Sequence, residues 1–291
     1  MSDAAALEPQ VQALEQGHAF VDRSAFRKTL VAGPGAPDWL HDLVTGSVSG
    51  LAAGQAARSL LLTPTGRIRA DVHVSRTEDG FVLLQDPEQP HPIGELLEPY
   101  VLSADVTLED RTEAMALFSI PDPAADAVGR AGSRPSLLGT GMDLLAPTED
   151  AWKIETMLVK KNLTETSGAA VEIWRIRRGV PRFPVDVGED SVPAEAGLEE
   201  TIDFTKGCFL GQESVAKIRN LGHPPRLVVA LRAEGVVAPG DHVMAAKEAA
   251  GEVTSAAPDA GAGRTALLAR VRWEARHAPL ALLDGRALLR E

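Results

Sequence analysis

Residues 55–75 read QAARSLLLTPTGRIRADVHVS. Two runs of strand-forming residues flank Thr63-Pro64-Thr65-Gly66, a tetrapeptide with proline and glycine where a tight turn needs them. Strand side chains alternate, so Ile68, Ala70, Val72 and Val74 share one face, and Arg67, Arg69, Asp71 and His73 the other. The hairpin is one edge of a larger meander. GFVLLQD (80–86) continues it, HPIGELLEPYVL (91–102) reads as a helix, and ADVTLED (104–110) returns as a strand. Upstream, FRKTLVAGPG (26–35) is a strand running into a Gly/Pro turn. APDWLHDLVTG (36–46) is a helix with Pro37 and Asp38 in its first turn, and Trp39, Leu40, Leu43 and Val44 on its core side. Strands interleaved with helices in this order predict an α+β sheet covered on one face.

A second unit opens at about Glu113 with strand AMALFSI (114–120), a Pro/Ala/Gly-rich connection, the apolar segments GMDLLAP (141–147) and WKIETMLVK (152–160), and a helix at TSGAAVEIWRIRRG (166–179). The stretch 181–203 has weak periodicity and several prolines; a loop of that length inside a compact unit is functional or wraps a neighbour. GQESVAKIR (211–219) can form a helix. Past His223-Pro224-Pro225 the texture becomes short strands punctuated by Gly and Pro, the pattern of a small β-barrel or sandwich. The predicted domains are a loosely structured lead-in at 1–24, an α+β unit at 25–112, a second at 113–222, and a C-terminal β-barrel at 226–291.

Charge and composition narrow the chemistry. The chain has 291 residues, with 29 Lys and Arg against 41 Asp and Glu, a net charge of −12. Such a field argues against direct nucleic-acid binding. A single cysteine rules out an internal disulfide and points to a reducing, cytoplasmic setting. It also rules out a self-contained iron–sulfur centre, which takes about four thiolates. No apolar run approaches the roughly 20 residues of a membrane span, and the N-terminus lacks the basic segment of a signal peptide. GPGAPDW (33–39) lacks the Lys-Ser/Thr of a phosphate loop, and no zinc-type Cys/His cluster exists, so no metal site is expected.

Four features could carry chemistry, and each has an ordinary alternative. Cys208 precedes a helix and follows Lys206, which would favour thiolate; otherwise it is a small buried apolar residue. Asp71, on one strand face with Arg67 and Arg69, whose cations would hold it ionised, could accept a proton or be part of a solvated strand face. Glu195 in PAEAGL could take two hydrogen bonds from the edge of a heterocycle such as a pterin, or lie on a surface loop. Arg175, Arg177, Arg178 and Arg182 could receive an anionic tail or line a solvated helix.

The string KGCFLGQE (206–213) resembles the signature of YgfZ-type folate-binding proteins, relatives of the glycine cleavage T-protein, an aminomethyltransferase. Residues 39–74, 193–226 and 251–273 are similar to the family's first segment, central signature and C-terminal barrel, in that order. The resemblance implies a three-domain cloverleaf. Two mixed α/β, ferredoxin-like units surround a central channel that takes tetrahydrofolate, and a C-terminal β-barrel completes it. It implies support of the assembly or repair of iron–sulfur enzymes, including some that modify tRNA, with Cys208 as the functional thiol and Lys206, Gly207, Gln212 and Glu213 around it. It also carries Asp71 to the place of the one-carbon-transfer aspartate of the T-protein branch, and Glu195 to a pterin-binding glutamate. Arg177 stands where those transferases have a second glutamate, and a guanidinium cannot accept the pterin N–H bonds. Folate binding is therefore better supported than glycine cleavage. The expected partners are folate and iron–sulfur client proteins. The alternative is a folate-dependent aminomethyltransferase or demethylase with Asp71 as base.

Overall fold

The computed structural model describes residues 2–122, 124–129, 131–259 and 263–290; one stretch of the Gly/Pro punctuation expected after residue 225, APDAGAG (257–263), lies partly outside them. The chain begins with α1 (Ser2–Glu15) and β1 (Ala19–Asp22). Next come β2 (Arg27–Ala32), α2 (Ala36–Leu43), β3 (Ala56–Leu62), β4 (Ile68–Arg76), β5 (Phe81–Gln85), α3 (Ile93–Leu97) and β6 (Thr107–Asp110). The middle of the chain holds β7 (Met115–Ile120), α4 (Ala124–Ala127), β8 (Met142–Pro147), α5 (Ala151–Lys160), β9 (Thr164–Glu165), α6 (Gly168–Arg177) and α7 (Gln212–Leu221). The last six strands are β10 (Arg226–Glu234), β11 (His242–Ala245), β12 (Glu248–Pro258), β13 (Arg264–Arg272), β14 (Leu280–Leu282) and β15 (Ala287–Arg290).

Three sheets result. The first runs β3-β4-β5-β2-β6, the second β8-β7-β1-β9, and the last six strands close into a barrel in the order β10-β13-β12-β11-β14-β15. The fold is thus mixed α/β with a closed C-terminal barrel. The quoted hairpin forms as its alternation demands: Ala70, Val72 and Val74 are buried against Leu40, Val44 and Phe81 in the core of the first unit. Its turn closes at Gly66, whose N–H donates to Thr63 O at 2.9 Å with φ at +75°.

The expected loosely structured lead-in at 1–24 is corrected. α1 is a helix whose Val11 and Leu14 pack against Ala170, Val171 and Trp174 of α6. β1 lies inside the second sheet, antiparallel to β7 and parallel to β9. The second unit is therefore assembled from both sides of the first. The physical reason is burial: Ala19, Phe20 and Val21 are at most 1% exposed, so this short run needs cover on both faces, which only a central strand receives.

The β3–β4 turn also fixes the third piece of the architecture. It packs against the start of α7, where Gly211 has φ +81° and a Cβ would stand 2.5 Å from Thr63 O. Ser214 Oγ donates to Pro64 O at 3.2 Å across the same contact. Gly211→Ala should lower stability by about 2 kcal/mol through left-handed strain and displacement of the turn, read from urea unfolding; an unchanged midpoint would refute the contact.

Candidate functional site

The polar face of β4 meets bulk water at its Arg67 end and further in turns toward the second unit. Its residues find partners in sequence from rim to interior. Arg67 donates to Asp190 O, and Arg69 lies 3.7 Å from Glu189, which also faces His91 at 3.6 Å. Deeper, Asp71 receives Arg58 in a two-pronged pair, Nε to Oδ1 at 3.0 Å and Nη2 to Oδ2 at 2.6 Å. The expectation that Arg67 and Arg69 hold Asp71 is thus corrected. Those side chains reach along the strand toward Asp190 and Glu189, while Arg58 comes from the neighbouring strand on the same face, where Arg58 pairs with His73 and Leu60 with Asp71.

Beyond the end of β5, the Gln89 side chain replaces a strand partner for Asp71. Its amide donates to Asp71 O at 2.7 Å, and its carbonyl accepts from Asp71 N at 3.0 Å. Gln85 orders Gln89 in turn, donating to its Oε1 at 3.1 Å. The Asp71 carboxylate is therefore positioned by its backbone and covered by a guanidinium on both oxygens. That arrangement can orient a polar ligand, because each oxygen keeps a lone pair beside its guanidinium bond.

At the inner end stands His73, 5% exposed, with its Nε2 buried and without a hydrogen-bond partner. Burial pushes its pKa below the ordinary imidazole value, against the attraction of Asp143. Asp143 on β8 is fully enclosed. Burial holds its carboxyl above the usual carboxylate range, although His73, Ser119, Ser136 and the Leu137 N–H oppose the shift. Ser119 Oγ donates to it at 2.6 Å and Ser136 Oγ at 2.8 Å. The serines satisfy a carboxylate that would otherwise be costly to bury.

Glu195 does not present a free edge to a heterocycle. It is completely buried; Oε1 accepts from Val192 N at 3.2 Å and Oε2 from Arg226 Nε at 2.9 Å. Both alternatives read from the sequence are corrected, since it lies neither on an exposed loop nor with an edge open to a pterin. Its role here is to cap the short turn Pro193–Ala196 and anchor the first barrel strand.

The arginine cluster is likewise committed internally. Arg177 pairs with Glu8 of α1 at 3.0 and 2.8 Å and donates to Pro258 O at 2.9 Å. Its assignment to cofactor binding is corrected, because α1 covers the face of α6 on which it lies. Arg175 donates to Asp186 at 2.7 Å and to Ser255 at 2.8 Å, and also pairs with Glu172. Arg182 pairs with Asp86 at 3.1 Å and Glu88 at 2.6 Å. Arg178 is exposed and lies over the Trp174 ring at 4.8 Å. Neither an anionic tail nor open solvent explains the first three; internal carboxylates do.

The octapeptide at 206–213 separates into two sets. Lys206 Nζ donates to the carbonyls of His41, Val44 (2.6 Å) and Gly46 (2.9 Å), gripping the exit of α2 where orphan carbonyls attract a cation. Burial lowers its pKa from 10.5 to about 8, against the attraction of Asp42 and Asp203. Phe209 is buried in the core with Leu62, Ile68 and Val215, and Gly211 permits the close approach described above. These three build structure. The other set has no such work: Cys208 is exposed, a Cβ on Gly207 would meet nothing within 4 Å, and Glu213 is exposed at the first turn of α7. The reading of Cys208 as a buried apolar residue is therefore corrected.

Among the described residues no group of three or more His, Cys, Asp or Glu could hold a metal ion, and no helix is long and apolar enough to cross a membrane. Sequence reasoning missed Arg58 and Gln89. Arg58 was accessible to it as the one charge within QAARSLLL, on the strand face that the hairpin register puts beside Asp71. Gln89 carried no signal, because its partner is a strand end.

Comparison with known proteins follows the same outline. Residues 2–134 match the family described as the GCVT N-terminal domain. An aminomethyltransferase of Streptomyces avermitilis is 25% identical over 88% of this chain and 78% of its own. A chloroplast protein of Arabidopsis thaliana, named as a transferase, is 24% identical over 84% of this chain, which spans only 63% of that relative. Among solved structures, the glycine cleavage system aminomethyltransferase T of Bartonella henselae superposes with a TM-score of 0.82 at 19% identity. That match covers 97% of this chain and 88% of the other. The family match is confined to the N-terminal part of the chain and these relatives are similar to it at 24–25% identity, while the superposition shows the shared fold.

Proposed function

We propose that this chain, built on the aminomethyltransferase fold, binds a tetrahydrofolate on the polar face of β4 and supports the assembly or repair of iron–sulfur enzymes, including tRNA-modifying ones, through the thiol of Cys208. The observation that carries the reading is the division within residues 206–213. Lys206, Phe209 and Gly211 account for the local structure, while Cys208 stands exposed with no structural partner. A lone thiol cannot hold a cluster by itself, so any cluster belongs to the client, with Cys208 as a contact or single ligand.

The Asp71–Arg58 pair supports folate orientation over base catalysis. A carboxylate clamped on both oxygens by one guanidinium is fixed in direction with lone pairs left for a ligand N–H, which favours orientation over the aminomethyltransferase or demethylase alternative. In this reading Arg58 and Asp71 act together, one donating to and the other accepting from the polar edge of the ring. Glu195 and Arg177 hold the protein rather than the ligand.

The test pairs calorimetric titration of tetrahydrofolate with a client-enzyme activity assay. Asp71→Ala should weaken folate binding by about tenfold, the worth of one charge-assisted bond. Cys208→Ala should leave that affinity unchanged while abolishing client support. Full client activity in the Cys208 variant would reject the thiol role. Unchanged folate affinity in the Asp71 variant would reject the binding face.

A further inference from the structure

Between α7, the turn at 193–196 and the barrel lies a cavity of about 240 Å³, separate from the β4 face. Its walls are mostly apolar, with Ile202, Val215, Ile218, Leu227, Phe204 and Trp273 prominent among them. That is smaller than the roughly 300–1,000 Å³ of drug-sized sites, and suits a molecule with one ring.

Trp273 is held by two neighbours. The His223 ring stacks on it at 4.7 Å with 2° between planes, and the Arg276 guanidinium lies 4.1 Å from its centroid. An indole edge carries the positive end of the ring quadrupole, which attracts the face of another aromatic. Three polar side chains also line the cavity: Glu199, Arg219 and His223. Arg219 lies over Phe204 at 4.1 Å, is exposed and makes no ion pair among the described residues; Glu199 is exposed and also makes none. Elsewhere in this region the guanidiniums are committed, as Arg226 is to Asp190 and Glu195. A mostly apolar slot with one uncommitted cation and one uncommitted anion is complementary to a molecule bearing a ring and both opposite charges.

We infer that this cavity is a second binding site, for a small aromatic zwitterion of the α-amino-acid type. The ring fills the slot against Phe204 and the Trp273 edge, the carboxylate meets Arg219, and the ammonium meets Glu199.

Isothermal calorimetry on the full chain tests this with L-phenylalanine, phenylacetate and phenethylamine as probes. Phenylalanine should bind more tightly than either singly charged analogue. Arg219→Gln should weaken phenylalanine and phenylacetate by about tenfold and leave phenethylamine unchanged, whereas Glu199→Gln should weaken phenylalanine and phenethylamine and spare phenylacetate. Both positions are exposed, so both variants should keep the wild-type melting temperature. No heat from phenylalanine at millimolar concentration, or affinities indifferent to both substitutions, would overturn the assignment. Competition between phenylalanine and tetrahydrofolate would overturn the separateness of the site.

Discussion

Asp186→Ala should lower the unfolding free energy by about 3–5 kcal/mol, the range for breaking a buried ion pair by removing one partner. Asp186 is 1% exposed and accepts four hydrogen bonds from three parts of the chain. Oδ1 takes the hydroxyls of Thr254 at 2.6 Å and Ser255 at 2.7 Å on β12, while Oδ2 takes Arg175 Nη1 at 2.7 Å and the Arg182 N–H at 2.9 Å. Arg175, itself 6% exposed, adds bonds to Val180 O and Ser255. The knot ties α6, the 181–190 loop and the barrel together. Removing the carboxylate takes from buried Arg175 its buried anionic partner, leaving it Glu172, Val180 O and Ser255, and removes an acceptor from the Arg182 N–H and two hydroxyls, each at a cost in free energy. Urea unfolding followed by circular dichroism gives the number. Asp186→Asn, which keeps an acceptor oxygen, should lose less than the alanine variant. A loss below about 1 kcal/mol in Asp186→Ala, the value of an exposed pair, would show that the knot is not a structural joint.

The second large effect is expected at Lys206. Lys206→Met keeps the aliphatic stem beside Phe209 but leaves the carbonyls of His41, Val44 and Gly46 without their donor, and should cost about 3 kcal/mol. The same grip explains why Thr45, between those carbonyls, can join the two units. Its hydroxyl donates to Thr201 O at 2.9 Å, and its carbonyl accepts from Asp203 N at 3.0 Å. The pH dependence has a definite sign. The folded-state pKa, about 8, lies below the ordinary 10.5, so the unfolded chain holds the proton more tightly. The burial cost is therefore fully present below pH 8 and is relieved as pH rises toward 10.5. Between those limits the stability of the parent protein should rise relative to Lys206→Met, a difference that cancels the other titrating groups. A difference that stays flat or narrows across that window would contradict the assignment.

The hairpin at 55–75 was legible because its two periodicities are local. Alternation places Ala70, Val72 and Val74 in the core whatever else the chain does. The helices of 36–46 and 211–219 and the short C-terminal strands were legible for similar reasons of capping and punctuation, while the choice of barrel over sandwich came from the resemblance. β1 was not. Four residues between a helix and a turn carry too little pattern to announce a central strand, and their partner β7 begins more than ninety residues later.

The candidate site divides along the same line. The polar residues of β4 could be named from alternation, and the special character of residues 206–213 from their composition and their resemblance to a known signature. By itself, then, the sequence determined which residues were chemically equipped and which segments would be strands, helices and turns, because those depend on neighbours a few positions away. Only the tertiary structure decided which equipped residues remain available. Glu195, Arg175, Arg177 and Lys206 are spent on Arg226, Asp186, Glu8 and the exit of α2, while Cys208 is left uncovered. A charge or donor is claimed by whatever long-range packing brings within about 3 Å, and no spacing along the chain encodes that encounter.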